Sequence, residues 1–480
     1  MRISPSFDTP PDLGRSWWLR EALALPEFAG EPCPPLAGDT TADVVILGGG
    51  YTGMWTAWFL KERDPGIDIV LLEQDICGGG PSGRNGGFCD GWAGHVADMI
   101  PTYGAAAAKE LIELSSRSPV EIGRWCDEHG VDAWHRIAGD LAVASSPAHE
   151  GRWESTIAAA RQLGMDDDFM VLSPDEVRAR VRSPMFGGAM YIRNAATVHP
   201  ARLARGLRRV LLAKGVRIYE STPVRRFGYG RPALADTPGG TVRADVAVIA
   251  LGAWATWWKP FKPILTVRGS YMVVTAPSPE KIDAIGWHGG EAVRDLRSSI
   301  HYLRTTPDGR IAFGLGGLQP NLARRIDARY AYDEQMVRRV GADLYRMFPE
   351  FEGVPLEAGW GGPINVSGFT MPFFGTLAPG NVHYGLGYTG NGVAPSHLGG
   401  KILASLASHA DDGLTRLAVV TREPKRFPPE PIRSPGMLVV NDAIRRKDDL
   451  EADGRMPGPA TRTVASLPRR LGFNLGPGKR

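Results

Sequence analysis

At 480 residues the chain is too long for one simple core, and two domains are expected. It is 43% hydrophobic and 22% charged, as an ordinary globular protein is, and its net charge of +3 carries no bulk signature of nucleic acid or a membrane surface. The opening MRISPSFDTPPD lacks the apolar core of a signal peptide, and no run of about 18 apolar residues predicts a spanning helix. The four cysteines, Cys33, Cys77, Cys89 and Cys126, form no C-x-x-C pair. That argues against a metal site or a disulfide framework and fits a reducing cytoplasm.

Residues 1–40 read as an arm. Ser16 to Leu23 (SWWLREAL) has the pattern of a short amphipathic helix whose tryptophans dock on the body, and the Pro-rich EPCPPLAGD follows. Val44 to Leu47 is an aliphatic, β-branched run, the pattern of a parallel strand buried on both faces. Gly48, Gly50 and Gly53 then fall in G-x-G-x-x-G spacing, with Tyr51 and Thr52 between them, and Met54, Trp55, Ala57, Trp58 and Leu60 recur at helical intervals. This is phosphate-binding logic: a sharp turn, a close backbone approach to pyrophosphate, and a helix N-terminus with unpaired N–H groups. A second apolar run ends in Glu73, placed to accept hydrogen bonds from the hydroxyls of an adenosine ribose.

Gly78 to Cys89 contains six glycines together with Ser82, Arg84 and Asn85, too many glycines for a helix or strand. Such a loop lays backbone N–H groups and short polar side chains against a flat or anionic ligand. Arg84 can pair with phosphate, and Ser82 and Asn85 can bond a ring edge. Residues 104–130 read as one helix or a broken pair, interrupted at Ser118-Pro119; 139–146 read as a strand and 150–163 as a helix. Ser173, Pro174 and Glu176 form a capping box.

His199-Pro200 opens the helix ARLARGLRRVLLAKG, followed by strands VRIYE (216–220) and TVRADVAVIA (241–250), then Leu251-Gly252-Ala253-Trp254. Strands over 267–276, 300–306 and 310–315, the last two joined by the turn Pro307-Asp308-Gly309, imply an antiparallel sheet. Residues 329–348 read as a long helix. EAGWGGP (357–363) reads as a glycine-rich edge where the chain returns to the nucleotide-binding part. NVHYGLGY (381–388) is a strand, and TGNGVAP leads into the helix SHLGGKILASLASH, a second positive helix end. The tail, 411–480, is rich in Pro and Lys/Arg and reads as a surface wrap or a partly disordered segment.

Two glycine-rich anion sites, a ribose-binding Glu and an extra Gly/Arg/Asn loop exceed what a plain NAD site requires and suit FAD: one helix end for the pyrophosphate, the loop and second helix end for the isoalloxazine. The segments ILGGGYTGMWTA, PSGRNGGF, HPARLARGLRRV, IALGAW and GLGYTGNGVAPSHLGGKILA, in this order, resemble the D-amino-acid oxidase/glycine oxidase superfamily of FAD-dependent oxidoreductases. Within it, the SGRNGG loop and the SWWLREALA arm are most similar to the γ-glutamylputrescine oxidase-like and aminophosphonate oxidoreductase group.

The resemblance implies a Rossmann-like FAD-binding domain of glutathione-reductase type (41–95, 196–262 and 350–410). An antiparallel-sheet substrate domain (96–195 and 263–349) is inserted in it, flanked by the arm and the tail. It also implies that Gly48, Gly50 and Gly53 hold the pyrophosphate and Glu73 the ribose. Ser82, Arg84, Asn85 and Gly86 then lie along the flavin. Val224 pairs with adenine through its backbone, and Ala250 and Gly252 pass the pyrophosphate. Gly387, Asn391, Gly392, Val393 and Ala394 close on the pyrimidine edge. Some relatives attach flavin through a Cys in the region matching NVSGFTMPFFG (365–375), where this chain has none, so non-covalent FAD is expected.

The implied reaction is oxidation of a C–N bond in a small amine, which needs orientation more than a dedicated acid/base pair. Tyr302 and Arg304, alternating onto one strand face, are candidates to clamp a substrate carboxylate or phosphonate. The competing reading pairs Arg304 with a surface acid and packs Tyr302 in the sheet. Trp360 is a candidate pocket wall, Arg268 a brace of the domain junction, and His199 a helix-start residue. The competing classes are an NAD-dependent dehydrogenase and a flavin electron carrier without amine turnover.

Overall fold

The computed structural model describes residues 14–320 and 326–473. Among them two large sheets dominate a mixed α/β fold. The first is built outward from Thr40–Leu47, whose last four residues are buried because they are aliphatic on both faces. This strand runs parallel to Ile69–Leu72 on one side and to Gly240–Ile249 on the other, with Val44 in register with both Ile69 and Val246. Arg217–Tyr219 extends one edge in parallel. At the other edge Gly240–Ile249 pairs in parallel with Val382–Leu386 and antiparallel with Ala233–Thr237. The helices Tyr51–Arg63 and Val393–Ala407 cross where Gly400 meets Trp55; a Cβ on Gly400 would stand 2.5 Å from that residue's Cβ.

The second sheet has the order Leu356–Ser367, Leu265–Thr275, Ile311–Pro320, His301–Thr305, Ala292–Asp295, Asp140–Val143, Ala189–Ile192, Phe169–Leu172. Its pairs are antiparallel except Ala292–Asp295 on Asp140–Val143, which is parallel. A small third sheet joins Phe88–Asp90 and Arg136–Ile137 to Ala195–Thr197.

Several expectations change here. EAGWGGP is not an edge of the first sheet. It lies within Leu356–Ser367, which pairs along its length with Leu265–Thr275 in the second sheet. Its glycines serve packing, since a Cβ at Gly359 would stand 2.4 Å from Val337 and one at Gly361 2.7 Å from the Tyr271 ring. The tail, read as a surface wrap or a partly disordered segment, forms after the short helix Ala418–Thr421 two longer ones, Arg433–Ala452 and Pro459–Arg470. The first of the longer two is latched to the second sheet, because Asp448 accepts the backbone N–H groups of Ser298 and Ser299 at 3.0 and 2.7 Å. Pro119 does not break its helix, which runs from Ala105 to Glu128. Strands at Arg226–Gly228, Ala233–Thr237 and Ala292–Asp295 have no counterpart in the sequence reading.

The arm does dock. Ser16 Oγ accepts from Leu19 N at 3.0 Å, starting the helix Trp17–Leu23, and both tryptophans are buried. Arg202, whose guanidinium lies over Trp134, also pairs with Glu21 of the arm.

Candidate active site

The first glycine turn has the geometry its spacing demands. Gly48 has φ +111°, and a Cβ there would stand 2.6 Å from the Ala250 carbonyl oxygen. At Gly53 a Cβ would lie 2.1 Å from the Gly48 oxygen, so only glycine lets the helix sit on the strand. Gly50 is the N-cap, and no N-cap side chain satisfies the first turn. Ser82 supplies one acceptor from the neighbouring loop, its Oγ taking the Tyr51 N–H at 2.9 Å. The Tyr51 hydroxyl points away and donates to the Pro200 carbonyl at 2.7 Å, so only the backbone of Tyr51 faces the turn. Thr52 follows in the same first turn.

Glu73 sits at the end of Ile69–Leu72. Its Oε2 accepts from Gly49 N at 2.8 Å and its Oε1 from Asp75 N at 2.9 Å. Burial lifts the carboxyl to about 7 against these two bonds. Each oxygen keeps a free lone pair for a hydroxyl. Val224, beyond Arg217–Tyr219, has no backbone hydrogen-bond partner among the described residues, leaving its N–H and C=O open to a planar edge. A Cβ on Gly252, φ +54°, would meet nothing within 4 Å, so space lies beside the turn next to Ala250.

The 78–89 loop is held by its own side chains. Asn85 donates to the Pro81 and Ser82 carbonyls, both at 3.0 Å, and accepts from Gly87 N at 2.8 Å. Arg84 is a strut. Its Nε donates to Gly79 O at 2.8 Å, and its Nη1 donates to Gly14 O and, at 3.2 Å, to Gly361 O. Burial brings this guanidinium down to about 10. The phosphate pairing read for Arg84 therefore gives way to a role tying arm, loop and second sheet together. At the far end, Gly387 has φ +86° and Asn391 Nδ2 lies 3.5 Å from His95 Nε2. Gly392, Val393 and Ala394 begin a helix with no side-chain cap, leaving first-turn N–H groups open.

The second sheet turns one face toward this loop. Tyr302 lies against Gly86, where a Cβ would be 2.7 Å from its ring, and its hydroxyl shares a 2.7 Å hydrogen bond with Ser270 Oγ. Arg304 is on the same face, but its Nη1 donates to the Val198 carbonyl and it is only 3% exposed. Burial, with no acid beside it, draws it down to about 9. Among the described residues Arg304 pairs with backbone carbonyls, those of Val198 and Thr305, and not with a surface acid. Trp360 does not wall a pocket either. It is fully buried beside Trp18, and its Nε1 donates to Arg84 O at 2.9 Å.

Of three further groups, two were missed or read differently from sequence and the third, His199, was read as a helix start. Arg268 is 9% exposed and its side chain has no hydrogen-bond or ion-pair partner among the described residues, so no bracing contact is seen among them. Arg294, in register with Tyr302, faces two carboxylates, Asp140 at 2.9 Å and Asp90 at 3.9 Å. Nothing in local sequence marks these as neighbours. His199 does start its helix, its Nδ1 accepting from Arg202 N at 3.1 Å, and its Nε2 meets Glu21 at 2.9 Å.

The open helix ends, the Glu73 carboxylate, the partnerless backbone at Val224 and the space beside Gly252 fit an extended FAD. Comparison with known proteins agrees. The family model described as "FAD dependent oxidoreductase" (DAO) matches residues 43–406. The chain is 27% identical over 416 residues to a probable oxidoreductase OrdL of Rhizobium meliloti, covering 84% of this chain and 90% of that protein. It is 28% identical over 386 residues to the gamma-glutamylputrescine oxidoreductase of Escherichia coli, covering 78% and 85%. In fold it is similar to the crystal structure of glycine oxidase from Geobacillus kaustophilus, with a TM-score of 0.65 at 20% identity over 80% of this chain and 99% of that one. The NAD-dependent alternative is thereby set aside: the chain belongs to the DAO family of FAD-dependent oxidoreductases.

Proposed function

We propose that this protein oxidises a carbon–nitrogen bond of a small amine or amino acid, passing the electrons to oxygen or another carrier, the imine product being hydrolysed to a carbonyl compound. Bound FAD supplies the hydride acceptor. The observation that carries the reading is the apposition of the 82–87 loop, through Gly86, with a sheet face bearing Tyr302, Ser270 and Arg294.

In this reading Gly48, Gly50, Gly53 and the first turn of Tyr51–Arg63 hold the pyrophosphate, Glu73 the ribose and Val224 the adenine. Ser82, Gly86, Asn391, Gly392, Val393 and Ala394 lie along the flavin, with Arg84 and Asn85 fixing the loop from behind. The first sheet and its helices form the cofactor domain. The second sheet, with Leu356–Ser367 included, roofs the reacting face. Tyr302, fixed by Ser270 and Gly86, orients substrate and helps exclude water, and burial keeps its hydroxyl protonated, at about 12.

The E. coli and R. meliloti relatives support an oxidoreductase of this type. The test is anaerobic addition of amino acids, polyamines and aminophosphonates to the purified flavoprotein, repeated in air with peroxide detection. One amine should bleach the flavin, and peroxide in air would identify an oxidase. A broad panel that never bleaches it would overturn amine oxidation and leave a flavin electron carrier.

A further inference from the structure

The wall beside Tyr302 carries a charge imbalance. Asp90 ends the short strand Phe88–Asp90, and Phe88, two residues earlier on the same face, packs edge-on against the Tyr302 ring at 6.0 Å. Arg294 is in register with Tyr302 on the next strand. Its guanidinium is the counter-charge for both Asp90 and Asp140, which are 9% and 0% exposed. Neither oxygen of Asp140 has a hydrogen-bond partner among the described residues, although Oδ2 lies 2.9 Å from the guanidinium.

His95 approaches from the end of the next segment. Its Nδ1 is buried and has no partner among the described residues, and its Nε2 lies 3.5 Å from Asn391, beside the open helix end. Burial and the neighbouring guanidinium bring His95 down to about 4, so it adds no positive charge near neutrality. Two carboxylates and one guanidinium leave one buried negative charge over. A buried charge of that kind takes up either a proton or a cation. Burial, opposed by Arg294 and reinforced by Asp90, raises the Asp140 carboxyl above the usual carboxylate range.

We propose that Asp90, Asp140 and Arg294, with His95 at its rim, form the subsite that receives an ammonium group of the substrate, Tyr302 and Phe88 being its apolar wall. The inference rests on the amine-oxidation reading and narrows it: the preferred substrates carry an ammonium group at this wall, and anionic groups are not what it recognises. Arg294 is a positioning residue, holding one carboxylate while the other faces the ligand.

The test separates this from the reading it rests on by using a ligand that cannot react. tert-Butylammonium has no hydrogen on the carbon bearing nitrogen, and pivalate is its carboxylate isostere. Each is titrated into the FAD-loaded protein at pH 7, following the flavin absorbance. Saturable binding of tert-butylammonium, about tenfold weaker in Asp90→Asn, restored in Asp90→Glu, and tighter than pivalate in the wild type, is the expected result. If Asp90→Asn does not fold, Asp140→Asn is used with the same expectation, since either change removes the surplus charge. Wild-type protein that binds pivalate as well as tert-butylammonium, or a folded variant within twofold of wild type, overturns the subsite. Either result does so whether or not any amine bleaches the flavin.

Discussion

In the proposed role of Glu73 at the ribose, its carboxyl couples FAD binding to pH, and the sign of the coupling follows from its surroundings. In the ligand-free protein its carboxyl is lifted from 4.5 to about 7, chiefly by burial. A raised folded-state pKa means that the folded protein binds the proton more tightly than the unfolded chain between those values. The stabilisation is complete below about 4.5 and is lost as pH rises to about 7. A shift of this size is worth at most about 3–4 kcal/mol, a ceiling because Glu73 is only partly buried and keeps part of its hydration.

A ribose presents hydroxyl donors, which pair better with the ionised carboxylate than with the acid. FAD binding therefore releases a proton near neutrality. With a pKa of about 7, roughly a tenth of the protein is ionised at pH 6 and roughly nine-tenths at pH 8, so FAD affinity should rise about tenfold across that interval. The assay is fluorescence titration of the apoprotein with FAD at pH 6, 7 and 8, with calorimetry in two buffers of different ionisation enthalpy to count the proton. Glu73→Gln should bind FAD more weakly at pH 8 and lose the slope. A wild-type affinity that stays flat from pH 6 to 8, with no proton released, would refute the assignment of this carboxylate to the ribose.

Gly53→Ala puts a Cβ 2.1 Å from the Gly48 oxygen and should cost about 1–3 kcal/mol or more, read as a purified protein depleted of FAD. Trp18→Ala empties a fully buried site between arm and body and should destabilise the protein by about 3–5 kcal/mol, seen as a lower Tm in thermal denaturation. Arg304→Met removes a donor to the Val198 carbonyl, so it should lower Tm while leaving the kcat/KM ratio of anionic to neutral amines unchanged; a selective rise in KM for anionic amines would return Arg304 to the substrate site. Tyr302→Phe removes the 2.7 Å bond to Ser270 and should lower kcat/KM about threefold to tenfold at unchanged FAD content.

How far these sites could be read from sequence depended on the range of the interactions that make them. Gly48 to Gly53, Glu73 and the Ser173 capping box are local: each motif closes over a few residues or one strand–helix–strand unit. Ser173 and Glu176 make both reciprocal bonds the motif requires. Arg84, Arg304 and Trp360 stand out in the sequence, but the partners that fix them come from elsewhere in the chain. Arg84 is fixed by Gly14 and Gly361, and Trp360 by the loop carbonyl of Arg84 itself. An Arg beside a glycine-rich loop has the same local pattern whether it meets a phosphate or a carbonyl.

The strand Leu356–Ser367 makes the same point about glycine. Three glycines in seven residues read locally as a glycine-rich edge, yet here they let Tyr271 and Val337 pack against a continuous strand. Alternation did place Tyr302 and Arg304 on one face, since parity within a strand is a local property. It could not say that Arg294 would stand beside Tyr302, or that Asp90 and Asp140 would arrive from two other strands to share its charge. That depends on register across the sheet, where a slip of one residue reverses every side chain. The charge imbalance, and with it the expected preference for an ammonium group, exists only once those strands are paired.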